Sequence, residues 1–301
     1  MITIIGLGPG DIDRVPGAVL SLLEEFERTV IVRTEHHPAA AQLADRRAVV
    51  FCDDLYETCD TFEAVYEAIC DRVLDVACGT GVVTREAVAS VGDSGSVAGV
   101  DPMQGMLVVA ERHAPAVEWK QGVAESLPFP DASFDAVVSQ FGMMFFTDRK
   151  KAIEEMLRML KPGGYLAIAT WASLEESDAY REEVVLLDRV AGQAAGDAVR
   201  APFVLGDTDK LLRLFEEAGA DSISLTTHIG TGRFPSIRIM VDADLRGWLP
   251  VMGVLLDEQT IATILEEAES ALAAYVLDNG EVVFKAPGNI VSARRLSIQS
   301  G

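Results

Sequence analysis

Val73-Leu74-Asp75-Val76-Ala77-Cys78-Gly79-Thr80-Gly81 is the stretch that decides the fold. Its first four residues read as a strand. A turn of small residues with Gly-x-Gly follows, and Val82–Val91 continues as a helix. Glycines at 79 and 81 permit a positive φ and let the backbone approach a bound ligand closely. Twenty residues beyond Gly81, where the next strand pattern ends, stands Asp101. A carboxylate there can accept both hydroxyl hydrogens of a ribose. The pair of features predicts a pocket for an adenosine-containing cofactor at the C-terminal edge of a parallel sheet. A dinucleotide site wants a third Gly or Ala, to seat a pyrophosphate on the helix N-terminus. This chain has Thr84 there. That favours a cofactor without phosphates, such as S-adenosylmethionine (SAM), over a nicotinamide dinucleotide.

Outward from this turn, strand and helix patterns alternate, which predicts an α/β fold with a parallel sheet covered by helices. Strands are expected at Gly95–Asp101, Ala116–Trp119, Phe134–Gln140 and Tyr165–Trp171, the last a near-continuous apolar run. Helices are expected at Gly105–His113, Arg149–Leu160 and Asp207–Ala218, the last with Asp207 or Thr208 as N-cap and Gly219 after its end. Asp221–Ile229 and Asn289–Leu296 read as late strands. Between them lie Phe234–Leu249, a helical Glu258–Leu277 and a turn at Asp278-Asn279-Gly280 into Val282–Lys285. Residues of about 230–288 are expected to form a substrate-selecting insertion.

Upstream, short strand patterns at Ile2–Ile5, Thr29–Val32 and Ala48–Phe51 alternate with helices at Pro16–Arg28 and Thr61–Asp71. In the second helix Phe62, Val65, Tyr66 and Ile69 carry the amphipathic spacing. It runs almost directly into Val73, which places a seam near residue 72, between segments 1–72 and 73–301.

Composition bounds the partners. Of 301 residues, 49% are apolar, enough for a sizeable core and too many for a disordered chain. The net charge is −22, with 47 acidic against 25 basic side chains. Such a surface argues against nucleic acid and against anionic membranes. No apolar run reaches the roughly 18 residues a bilayer span needs, and Met1-Ile2-Thr3-Ile4-Ile5 lacks the basic start of a signal peptide. Cys52, Cys59, Cys70 and Cys78 follow neither zinc nor disulfide spacing. They read as free thiols in a reducing cytoplasm, and no metal site is expected.

Four segments, in order, resemble a class I SAM-dependent methyltransferase of the broad small-molecule type known as methyltransferase type 11. They are Leu74–Gly81 (LDVACGTG), Val100–Leu107 (VDPMQGML), Glu125–Val137 (ESLPFPDASFDAV) and Leu160–Gly164 (LKPGG). The resemblance implies a Rossmann-like sheet of seven strands with the last one antiparallel, preceded here by a βαβαβα extension. It also implies that Asp75, Ala77 and the backbone of Gly79 and Gly81 hold the methionine end of SAM, and that Asp101 holds the ribose. Pro102, Met103 and Met106 would pack on the adenine. Val123 and Ala124 would flank it, and Gln140 would lie where the pocket floor meets substrate. In one respect the chain departs from the family. The usual Gly-Asp-Ala is Gly122-Val123-Ala124 here, so Val123 cannot accept the adenine amino hydrogen and weaker cofactor binding is expected.

Residues 1–72 resemble the first third of a tetrapyrrole methylase domain of the kind fused to nucleoside-triphosphate pyrophosphohydrolases. The likeness rests on Ile2–Asp11 (ITIIGLGPGD), His36-His37-Pro38 and Asp53–Ile69. With the rest of that domain absent, Gly6–Gly10 reads as a plain strand-to-helix turn. The helix Thr61–Asp71 stands where type 11 enzymes carry a lid, with Tyr66 facing the pocket or packed in an accessory layer.

The expected reaction is in-line methyl transfer to a small, apolar or aromatic acceptor, with no catalytic residue assigned. The alternatives are a non-catalytic SAM-binding module and an NAD(P)-dependent oxidoreductase. His113 and His228 read as structural, His228 with a base role as the alternative. Met143-Met144-Phe145-Phe146 reads as core or as pocket lining. A homodimer is entertained as the assembly.

Overall fold

The computed structural model describes residues 72–92 and 95–295, together with the backbone of two short strands, 30–32 and 49–51. The strand, helices and loop expected over 2–28 and 61–71, with Tyr66, His36, His37 and three of the four cysteines, lie outside the described residues. The chain divides into two compact units, one of residues 1–71 with 90–96, the other of 72–89 with 97–301.

In the first unit β1 (Val30–Val32) and β2 (Val49–Phe51) pair in parallel, Val30 opposite Val49 and Val32 opposite Phe51. Both were expected at these places.

The main sheet has seven strands. They are β3 (Arg72–Val76), β4 (Ser96–Asp101), β5 (Glu118–Gln121), β6 (Phe134–Gln140), β7 (Leu160–Trp171), β8 (Asp221–Phe234) and β9 (Val282–Arg294). Their spatial order is β5-β4-β3-β6-β7-β9-β8. The β4–β5, β3–β6 and β6–β7 pairs are parallel, and β9 runs antiparallel to both β7 and β8. The reversed last strand is therefore inserted between β7 and β8. Strands buried on both faces need unbroken apolar runs. Accordingly, all but the first residue of β4 is buried, as are the last three of β3.

The connecting helices are α1 (Val82–Val91), α2 (Gln104–His113), α3 (Arg149–Met159), α4 (Asp178–Val190), α5 (Gln193–Arg200), α6 (Thr208–Glu217), α7 (Ile237–Ala243) and α8 (Glu258–Ala271). α7 passes into one wide π-helical turn at Asp244–Trp248. Caps fix several starts. Asp148 accepts from the Lys151 amide, Asp207 from Lys210 and Asp257 from Thr260. Gly219 follows α6 with φ of 80°, as a C-terminal glycine should. Among the described residues no helix is long and apolar enough to cross a membrane.

Several boundaries differ from the sequence reading. β5 begins at Glu118 rather than Ala116, because Ala114 to Val117 close a turn, the Val117 amide donating to the Ala114 carbonyl. β7 begins at Leu160 rather than Tyr165. A register shift lets Leu160 pair with Phe134 across the Pro-Gly-Gly stretch. β8 runs on to Phe234 and β9 begins at Val282, paired from Asp221 opposite Arg294 to Phe234 opposite Val282. The ends of the expected 230–288 insertion are thus sheet, and its helices occupy 237–275. A second helical contribution, α4 and α5, comes from a stretch to which the sequence reading gave no element.

Two buried clusters result. One lies on the sheet and α3, with Leu74, Phe134, Val137, Ile153, Met156, Leu166 and Ile168 at its centre. The other joins α4, α5, α7 and α8 to the start of β9 through Leu187, Met240, Val241, Ile264, Val282 and Phe284.

Candidate functional site

The turn after β3 takes a left-handed path. Ala77, Gly79 and Gly81 have φ of 58°, 54° and 78°. The two glycines serve different ends. A Cβ on Gly81 would lie 2.7 Å from the Trp119 ring, so that position is closed by packing. A Cβ on Gly79 would meet nothing within 4 Å, so its backbone faces open space. The Cys78 amide donates to the Val100 carbonyl at 3.0 Å and ties the turn to β4.

At the end of β4 the Asp101 carboxylate is held from two sides. The Gly79 amide donates to Oδ2 and the Met103 amide to Oδ1, both at 2.9 Å. Each carboxylate oxygen accepts more than one hydrogen bond, so capacity remains for a vicinal diol. Asp75, near the end of β3, is buried and accepts from the Thr84 hydroxyl at 2.6 Å. Burial pushes its pKa up to about 7. The Thr84 hydrogen bonds act against that rise, and the nearby Asp101 charge adds to it. Thr84 was read from sequence only as a missing glycine. Here it is the donor that satisfies a buried acid. Burial, with Asp75 and Asp101 nearby, raises the pKa of the free Cys78 thiol.

Around the same strand end stand side chains suited to a flat apolar ring. Met103, Met106 and Val123 are exposed by 50%, 37% and 47%, unusual for such residues, and Pro102 is exposed beside them. The Gly122 amide donates to the Asp101 carbonyl at 3.2 Å, which draws residues 122–124 to this edge. Ala124 itself is buried. The acidic side chain next to it, Glu125, accepts from the Thr147 and Asp148 amides. Gln140 is exposed at the end of β6. Beyond it Phe141 has φ of 54°, and a Cβ on Gly142 would lie 2.5 Å from that of Ala77, so the turns after β3 and β6 touch.

From there an aromatic wall leads away. Phe141 stacks on Trp171 with centroids 4.0 Å apart. Trp171 ends β7 and lines a cavity of about 210 Å³ with Phe145, Tyr180, Val199, Pro202, Phe203, Asp244 and Trp248. The Met143–Phe146 run therefore divides. Met143 and Met144 are core, and Phe145 lines the cavity. Half of the cavity lining, Tyr180, Val199, Pro202 and Phe203, comes from a stretch in which no element was expected. Phe145 lies in the run offered as pocket lining, and Asp244 and Trp248 lie in the expected substrate-selecting insertion. His113 is an exposed helix end and His228 lies exposed on the outer strand β8.

Behind Asp244 lies Glu183, fully buried. Burial raises both carboxyls, Asp244 to about 6 and Glu183 well above the usual range, and each also feels the other. Tyr180, half-buried, has its pKa raised by desolvation and by the charges of Asp244 and Glu183.

Residues 74–168 match the methyltransferase domain family. A demethylmenaquinone methyltransferase of Renibacterium salmoninarum is 46% identical over 101 residues, 34% of this chain and 41% of that protein. A ubiquinone/menaquinone biosynthesis C-methyltransferase of Escherichia fergusonii is 32% identical over 169 residues, 50% of this chain and 66% of that protein. The chain thus spans between 41% and 66% of the length of these curated relatives. The solved structure of a candidate methyltransferase from Bacillus halodurans covers 78% of this chain and 98% of its own at a TM-score of 0.50 and 23% identity, a likeness of fold. Residues 74–168 are thus a methyltransferase domain, set in a Rossmann-like α/β fold.

Proposed function

We propose that this protein moves the methyl group of SAM onto a small molecule seated in the aromatic cavity. The observation that carries the reading is the Asp101 carboxylate, fixed by the Gly79 and Met103 amides beside an open left-handed turn. In this reading Asp101 accepts the two ribose hydroxyls. Pro102, Met103, Met106, Val123 and Ala124 form the adenine side. Asp75, Ala77, Gly79 and Gly81 form the methionine side, Asp75 acting from behind the turn through its buried carboxyl. Gln140 stands between cofactor and acceptor.

The bound cofactor supplies an electrophilic methyl on sulfur. The protein's part in such a displacement is alignment and exclusion of water. The contact between Gly142 and Ala77, and the Phe141–Trp171 stack beyond it, support an acceptor held against the cofactor turn. Most of the cavity lining lies beyond residue 168, where the family match ends. The quinones in the relatives' names are therefore one acceptor class to screen. The chain's own residues set the choice.

Other parts of the reading rest on the sequence. A net charge of −22 supports a small-molecule acceptor over nucleic acid and suits a cytoplasmic enzyme. The division of the chain at Asp71 and Arg72 supports a methyltransferase domain from about residue 73, preceded in sequence by a separate N-terminal segment. A homodimer is part of the reading and is checked by sedimentation.

The test is calorimetric titration of SAM and S-adenosylhomocysteine (SAH), followed by an acceptor screen for SAH release. Asp101→Ala should lower SAH affinity by about 10- to 100-fold, the worth of hydrogen bonds to a charged group. A folded protein with no SAH binding overturns the proposal. SAH binding without turnover on any acceptor favours the non-catalytic module.

A further inference from the structure

The aromatic cavity holds a charge that nothing around it balances. Glu183 is fully buried, and with both carboxyls ionised neither of its oxygens finds a hydrogen-bond donor. Its one partner is the carboxyl of Asp244, which lines the cavity. A single proton shared by the two gives one Glu183 oxygen a partner and leaves one negative charge on the pair, as for two carboxyls forced together. Among the described residues no Lys, Arg or His acts on either group. Several arginines on the same helical segments are paired with other acids, Arg189 with Glu267 among them. Arg181 pairs with Asp178, Arg200 with Asp188 and Asp197, and Arg246 with Asp242 and Glu258.

The walls have a matching character. Phe145 and Trp248 meet at 55° with centroids 5.3 Å apart, Tyr180 and Phe203 at 53° and 5.5 Å, Trp171 and Phe203 at 41° and 6.5 Å. Rings so inclined do not form parallel walls. A slot for a flat polycyclic acceptor would need parallel walls. A cage of inclined ring faces attracts a cation through their quadrupoles. A neutral guest would instead strip water from the Asp244 carboxylate and offer nothing in return.

We propose that this cavity selects a small amine in its cationic form, with Asp244 as counter-ion, Glu183 as the hydrogen-bond donor that holds Asp244, and Trp171, Phe203 and Trp248 as the cage. This names the acceptor class of the site: the bound ammonium passes its proton to the Asp244 carboxylate, the freed lone pair forms the N–C bond as the S–C bond of SAM breaks, and SAH leaves; it rests on the reading that the cavity receives the acceptor.

The experiment uses the full chain and tryptophan fluorescence, since Trp171 and Trp248 both line the cavity. Benzyltrimethylammonium is titrated against its uncharged carbon isostere, neopentylbenzene. The cation should bind at least tenfold more tightly. Asp244→Asn should abolish that preference, and Glu183→Gln, which still donates to Asp244, should keep it. Equal or tighter binding of neopentylbenzene overturns the proposal, as does a preference that survives in a folded Asp244→Asn protein. If that variant does not fold, the comparison of the two probes on the parent protein decides. SAH is titrated separately. Cation selectivity without SAH binding upholds the cage and sinks the methyl-transfer reading. SAH binding without cation selectivity sinks the amine assignment alone.

Discussion

Asp101 and Gly79, 22 residues apart in the chain, are joined by a 2.9 Å hydrogen bond from the glycine amide to the carboxylate. The bond couples the end of one strand to the turn after its neighbour. It also orients the carboxylate, since a second amide, that of Met103, holds the other oxygen. Preorganisation of this kind lowers the cost of ordering a site when a ligand arrives.

The two glycines of the turn should respond differently to alanine. Gly79→Ala places a side chain in open space at a positive φ, a strain of about 1–2 kcal/mol. Gly81→Ala adds a collision with the Trp119 ring. Thermal unfolding should therefore show the larger loss for Gly81→Ala. Calorimetry should show weakened SAH binding by a folded Gly79→Ala protein. Equal losses of stability would contradict the division of roles.

Val123 is exposed, with no acceptor on its side chain, on the edge proposed to face the adenine. Val123→Asp supplies one. One added hydrogen bond is worth about 0.5–1.5 kcal/mol, so SAH should bind a few-fold to about tenfold more tightly. Unchanged affinity in isothermal titration would remove Val123 from the adenine contacts.

Glu155 anchors the loop before β6. It accepts from Arg158 at 2.6 and 3.0 Å and from the Leu127 amide at 3.0 Å. The Arg158 hydrogen bonds, the Leu127 amide and the Arg158 and Lys151 charges hold its pKa down at about 2. A carboxyl with a folded value below its unfolded one, near 4.5, stabilises the protein fully above that unfolded value. Stability should fall as pH drops from about 4.5 towards 2. Glu155→Gln should flatten this slope in urea unfolding measured across that range.

Asp75 has the opposite sign. Its folded pKa, about 7, lies above the ordinary 3.8 because burial disfavours the charge. The folded state then binds the proton more tightly than the unfolded one. Stability from this group is full below about pH 4 and declines as pH rises through 7. Asp75→Asn should remove the decline and still accept from Thr84. Thr84→Val, which deletes the donor, should deepen it. Urea midpoints between pH 5 and pH 8 check both.

Much of the cofactor edge was legible in the sequence. β6 and α1 fall where expected to the residue, since apolar runs bounded by turn residues leave little choice of strand, and helix periodicity starts at a glycine turn. The outer pair β8 and β9 was read short. Gly230, Gly232, Pro287 and Gly288 interrupt the alternation that marks a strand, and only long-range pairing carries the strands through them. At Gly232 the missing side chain makes room for Phe284, whose ring would lie 2.4 Å from a Cβ there. That need is invisible along the chain.

By itself, then, the sequence determined the glycine turn, the acid at the end of the next strand and the alternation that makes a parallel sheet. These are local matters of backbone freedom and side-chain period. The tertiary structure alone decided that Thr84 serves Asp75, and that Phe145, Trp171, Tyr180, Phe203 and Trp248 enclose one cavity. It alone brought Glu183 and Asp244, from different helical segments, against each other. No spacing rule encodes these meetings. They follow from two helical segments, separated by a sheet strand, burying their apolar faces in one shared core, and the same burial raises the pKa values of the acids caught beside it.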